Sequence, residues 1–168
     1  MPLSPAQKTT LRLDIIAKQA IGQPLFGVTD EQPIANYYNA TTSTVVERTS
    51  LSRHEVLTAT SPEATTFTWT AGAYITRSQG ERDAFREIFN STGSVNPSMA
   101  SIKAAFADIF SGAGGATNRT HITAMSKRVC SRLEALFAVG AGTLASPSTL
   151  FFEGTVTPQN IADVVNGV

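Results

Sequence analysis

The sequence predicts a mainly α fold, a bundle of five or six amphipathic helices with two or three short extended segments and a C-terminal arm. Three observations predict it. The chain repeatedly spells the start of a helix, with Ser, Thr or Asn as cap, often Pro next, and sometimes Gln or Glu three residues on. Apolar residues after these caps recur at helical spacing. At 168 residues and 42% hydrophobic content, the chain can bury a core without staples.

Ser4-Pro5-Ala6-Gln7 opens the first helix, on which Leu11, Ile15 and Ile16 make one apolar face and Gly22 supplies a stop. Gln23 to Gly27 reads as a loop. Thr29-Asp30-Glu31-Gln32 starts a short helix whose apolar contacts are Ile34, Tyr37 and Tyr38, and Asn39 to Ser43 ends it. The β-branched run from Thr44 to Thr49 reads as extended. Ser52-Arg53-His54-Glu55 is a capping box for a brief helix, followed by a stretch in which Phe67 and Trp69 alternate with threonines.

Ser78 and Glu81 form another box, opening a helix through Ala84, Phe85, Ile88 and Phe89 to Gly93. Asn96-Pro97 starts the next, with Ile102, Ala105, Phe106, Ile109 and Phe110 at helical spacing. Ser111 to Thr117 is expected to be a flexible turn, and Thr117 or Thr120 to cap the longest helix, running to Ala138. Ile122, Met125, Val129, Leu133 and Leu136 form its stripe. Gly140 to Ser148 is a small-residue linker, Thr149 to Thr155 a short strand candidate, and Thr157-Pro158 opens a last helix with Ile161, Val164 and Val165. The expected division is a helical core over residues 1–139 and an arm over 140–168, both within one structural unit.

Charge is segregated within a chain of zero formal net charge. The last cation is Arg132, and the expected helix carries Arg119, Lys127, Arg128 and Arg132 against Glu134 alone. At about 100° per residue, Lys127, Arg128 and Arg132 spread opposite the apolar stripe. Such a row can follow a phosphate backbone without reading sequence, so these four residues are the candidate DNA-facing set; a solvated helix face is the plainer reading. After Gly140 the chain has no cation, and Leu150, Phe151, Phe152, Val156, Ile161, Val164 and Val165 offer more apolar surface than a short piece can bury on itself. They are the candidate subunit interface.

Catalytic and cofactor chemistry is not expected. His54 and His121 have no second ligand at metal spacing and read as surface or cap residues. Gly112 to Thr117 lacks the Lys-Ser/Thr pair of a phosphate-binding loop. Asp30-Glu31 suits a helix N-terminus. Cys130 reads as a semi-buried structural thiol, and the triplets at Asn39, Asn90 and Asn118 as chance. The start lacks a basic region followed by an apolar run, and no stretch of about 18 apolar residues occurs. The chain is therefore expected to be neither secreted nor membrane-spanning, with no catalytic residue, metal or cofactor.

Several runs carry a resemblance: Ile34 to Ala40, Ile109 to Gly112, Arg128 to Phe137, Gly140 to Thr143, Ser146-Pro147 and Phe152-Glu153-Gly154. From about Asp30 onward the chain resembles small virion proteins of tailed bacteriophages encoded among the capsid and head-tail joining genes. The motifs are loose and structural. The resemblance implies a structural subunit assembled in the host bacterial cytoplasm into the virion as a homo-oligomeric ring. Because adaptors beneath the portal are typically helical, it implies first a head-tail adaptor, also called a connector or neck protein. Its expected partners are the portal, the next neck or tail component, and double-stranded DNA passing through the ring. A tail terminator or a capsid-associated or decoration protein is the alternative, and a small DNA-binding regulator the third reading.

Overall fold

The computed structural model describes residues 3–23, 30–70, 73–90 and 93–167. Residues 24–27 of the loop expected at 23–27, and the cap candidate Thr29, lie outside the described residues. The chain is mainly helical, with eight helices and two small antiparallel sheets among the described residues. The order is α1 (Pro5–Ala20), α2 (Glu31–Asn39), β1 (Thr41–Glu47), β2 (Leu51–Ser52), α3 (Arg53–Thr58), α4 (Gln79–Asn90), β3 (Ser94–Val95), α5 (Ala100–Ile109), α6 (Gly112–Met125), β4 (Lys127–Ser131), α7 (Arg132–Phe137) and α8 (Pro158–Asn166).

The caps form as spelled. Ser4, Ser52 and Thr157 each accept from the backbone N–H three residues on, while Gln7, Glu55 and Asn160 answer the cap's own N–H. Ser78 and Glu81 make the same reciprocal pair, at 3.2 and 2.7 Å. Asp30 caps α2 by accepting from Gln32 N at 3.0 Å. The α5 helix begins later than Asn96-Pro97 suggests, because the Asn96 side chain accepts from Ser98 N and Ser98 Oγ in a turn of its own. The expected strand at 149–155 reduces to a bridge between Thr149 and Val139.

Two compact units divide the chain elsewhere than at residue 140: Met1–Thr44 with Val129–Val168, and Val45–Arg128. The chain crosses the boundary within β1 and within β4, strands that pair with each other. In the first unit α1, α2, α7 and α8 enclose Leu11, Ile15, Ile34, Ala35, Tyr38, Leu133, Phe152, Val156, Ile161 and Val164. In the second, β2 pairs antiparallel with β3, Leu51 opposite Val95. Its core is aromatic: Phe67 stacks on Phe85 at 5.8 Å between centroids, and Phe85 meets Phe110 edge-on at 5.5 Å.

Candidate functional site

The basic helix expected from Arg119 to Ala138 does not exist as one element. It is α6, then β4, then α7. Two local causes end the helical run. Val129 favours extended backbone, and Ser131 opens a new capping box, accepting from Glu134 N at 3.1 Å while the Glu134 carboxylate accepts from Ser131 N at 2.9 Å. The expected turn before it is also helical, since α6 begins at Gly112, a residue with φ of 69°.

The four cations are thereby separated. Arg119 lies on α6, Lys127 and Arg128 are neighbours on β4, whose side chains alternate in direction, and Arg132 starts α7. Arg119 Nη1 donates to the Phe110 carbonyl at 2.7 Å, at the C-cap of α5. Lys127 pairs with Glu63 at 3.3 Å. Arg132 Nη1 donates to the Tyr37 carbonyl at 3.1 Å, and its guanidinium lies over the Tyr37 ring at 4.5 Å. Arg128 is also engaged within the chain. Each of the four is thus engaged by a group of its own chain.

The candidate interface residues divide as well. Phe152, Val156, Ile161 and Val164 are buried in the first unit's own core. Asn39 fixes the approach: its Nδ2 donates to the Val156 carbonyl at 2.7 Å and its Oδ1 accepts from Val156 N at 2.9 Å. The segment after Gly140 is therefore folded onto α1 and α2 of its own chain. Phe151 and Val165 remain exposed, and Leu150 is half-buried.

Two buried polar residues anchor an irregular stretch of the second unit. Asn118 donates to the carbonyls of Thr68 and Ala73 at 3.0 and 3.2 Å and accepts from Thr68 N at 2.7 Å. His121, expected at the surface, is fully buried. Its Nε2 lies 2.8 Å from the Val56 carbonyl, which can only accept, so Nε2 carries the proton and Nδ1 accepts from the Thr65 hydroxyl at 3.1 Å. Both ring nitrogens of His121 are thus engaged within the chain.

Two further side chains are held by contacts within the fold. Burial, then the hydrogen bond to the Asp14 carboxylate at 2.5 Å, pushes the Tyr38 phenol far above its ordinary range and keeps it neutral. The Arg48 guanidinium, followed by the Ser52 backbone N–H, lowers Glu55 to about 2. No group of three or more His, Cys, Asp or Glu is placed to hold a metal among the described residues. No helix among them is long and apolar enough to cross a membrane.

The surface feature that sequence reasoning missed lies on α1. Leu11 and Ile15 are buried, but Ile16, expected on the same face, is 48% exposed and joins Leu13 at 63% and Ile21 at 72%. Leu13 and Ile16, with exposed Ala17 and Ala20, make a second apolar stripe on the helix's outer side, and Ile21 follows at its C-cap. Leu13, Ile16, Ala17 and Ala20 fall at i, i+3, i+4 and i+7, a signal present in the sequence. Comparison with protein-family models, curated proteins and solved structures finds no match to this chain.

Proposed function

We propose that this chain is a structural virion subunit of a tailed bacteriophage that works by assembling with copies of itself, most specifically as the helical head-tail adaptor ring between the portal and the next neck component. The observation that carries the structural reading is the outer face of α1. Leu13 and Ile16 are large apolar side chains left in water by a helix that already buries its other face through Leu11 and Ile15. Exposed apolar surface gathered on one face, with polar residues around it, is the kind of surface that protein contacts cover. The mainly helical content agrees with the adaptor class, and the phage assignment itself comes from the sequence resemblance.

Contacts between copies, and not a basic channel lining, are what this reading uses. Arg119, Lys127 and Arg132 each have a partner inside the chain, which leaves DNA contact a property to be sought in the assembled ring. The test is to purify phage particles from cells carrying the gene and look for the chain by mass spectrometry. The reading expects it in particles, at a fixed multiple of the portal. Absence from particles that are otherwise complete would sink it.

A further inference from the structure

We infer that the outer face of α1 docks into the groove between α4 and α5 of a second copy, a head-to-tail contact that would build the proposed ring. The inference rests on the structural-subunit reading and names the surfaces it needs. The groove has a volume of about 470 Å³ and is lined by Ala84, Glu87, Ile88, Ala105, Asp108 and Ile109. Its floor is apolar, with Ile109 buried and Ile88 and Ala105 half-buried. Its rim is acidic, since Glu87 from α4 and Asp108 from α5 are both exposed there.

Charge complementarity selects the occupant. A segment that fills this groove must present apolar side chains flanked by positive charge and carry no unanswered carboxylate. The α1 face meets each condition. Leu13 and Ile16 project from its outer side about 4.5 Å apart along the axis, and Arg12, also exposed, stands beside them. The helix's acid, Asp14, is already engaged by Lys18 at 2.5 Å and by the Tyr38 hydroxyl. Pairing α1 with α1 of another copy would cover the stripe but bring no cation to Asp108 or to Glu87, which accepts only from the neutral Asn90 amide at 2.8 Å. Helix-in-groove docking with i and i+3 anchors is an established mode of recognition. Because donor and acceptor are different surfaces of one chain, each copy can give and receive once, so assembly continues until a ring closes.

Complementation between two variants of the full chain tests the contact. Leu13→Glu/Ile16→Glu disables the donor face, and Ala84→Arg/Asp108→Arg fills the acceptor and reverses its rim. All four positions are exposed or nearly so, and circular dichroism checks that each variant keeps its helices. Sedimentation should show the wild type as an oligomer, each variant alone as a monomer, and an equimolar mixture as a heterodimer that grows no further. That stop at two copies is specific to a head-to-tail contact, because the mixture holds one intact donor and one intact acceptor. A mixture that stays monomeric, a variant that assembles like the wild type, or a wild type that stays monomeric overturns the contact. The virion reading fails separately, by absence of the chain from particles.

Discussion

Arg119 caps Phe110: its guanidinium donates to the carbonyl oxygen that ends α5, at 2.7 Å, while Arg77 Nη2 donates to the next carbonyl, Ser111, at 2.8 Å. Carbonyls at a helix C-terminus lack intrahelical donors and carry partial negative charge. Two arginines therefore satisfy the end of α5, and one of them is a residue that charge patterning alone assigns to DNA.

Gly115 makes room for this arrangement. A Cβ added there would fall 2.1 Å from the Phe110 carbonyl oxygen and 2.3 Å from Arg77 Nη2. Gly115→Ala should cost about 1–3 kcal/mol through forced displacement, although alanine is the better helix former. Urea denaturation reads the loss, and an unchanged or raised midpoint would show that α6 and α5 yield freely at this point.

Asn118→Ala should destabilise the second unit by at least roughly 1–3 kcal/mol, the cost of stranding buried backbone groups of Thr68 and Ala73. The same denaturation experiment measures it. Hydrogen exchange at the Thr68 amide, which donates to Asn118 Oδ1, should accelerate in the variant. Retained protection at that amide would mean another acceptor holds the segment.

Deleting the chain after Gly140 should unfold the first unit and not merely block assembly. Phe152, Val156, Ile161 and Val164 are lost from its core, each worth about 1.5–3 kcal/mol of burial, against a total stability on the order of 5–15 kcal/mol for a domain. Limited proteolysis should cut residues of α1 and α2 rapidly in the truncated protein. Wild-type resistance there would return the segment to the role of a detachable arm.

Acid should weaken the second unit in a defined window. Glu55 is lowered from an ordinary 4.5 to about 2 by Arg48 and Ser52, so its contribution is fully present above about pH 4.5 and disappears as pH falls towards 2. Over a third of the Glu55 side chain is exposed, so water screening keeps the effect modest. In Glu55→Gln this part of the acid dependence should vanish, and a denaturation profile as steep as the wild type between those pH values would assign the loss to other carboxylates.

Helix starts were legible in the sequence because capping chemistry is local: Ser4 with Gln7, Ser52 with Glu55, Ser78 with Glu81 and Thr157 with Asn160 all behave as spelled. Ser131 and Glu134 spell the same box. The apolar spacing from Ile122 to Leu136 masked it, since a strand between two helices can preserve a helical period by coincidence. Burial was less legible than element type. On α1, apolar residues lie on both sides, and hydrophobicity does not say which side meets the core. Asn118 and His121 look like surface residues until Val56, Thr65, Thr68 and Ala73 are brought against them, an approach set by tertiary packing that no local pattern records. The division of the candidate interface set has the same origin, because Asn39 and Val156 are far apart in sequence and meet only in the folded unit.

Sedimentation velocity of the purified wild-type chain over a wide concentration range tests the central claim most directly, that this is a subunit built to contact copies of itself through exposed apolar surface. The account predicts a concentration-dependent shift from monomer to a larger species, abolished by Leu13→Glu/Ile16→Glu with no loss of helix content. A wild-type chain that sediments as a monomer at every concentration, indistinguishable from the variant, would contradict it.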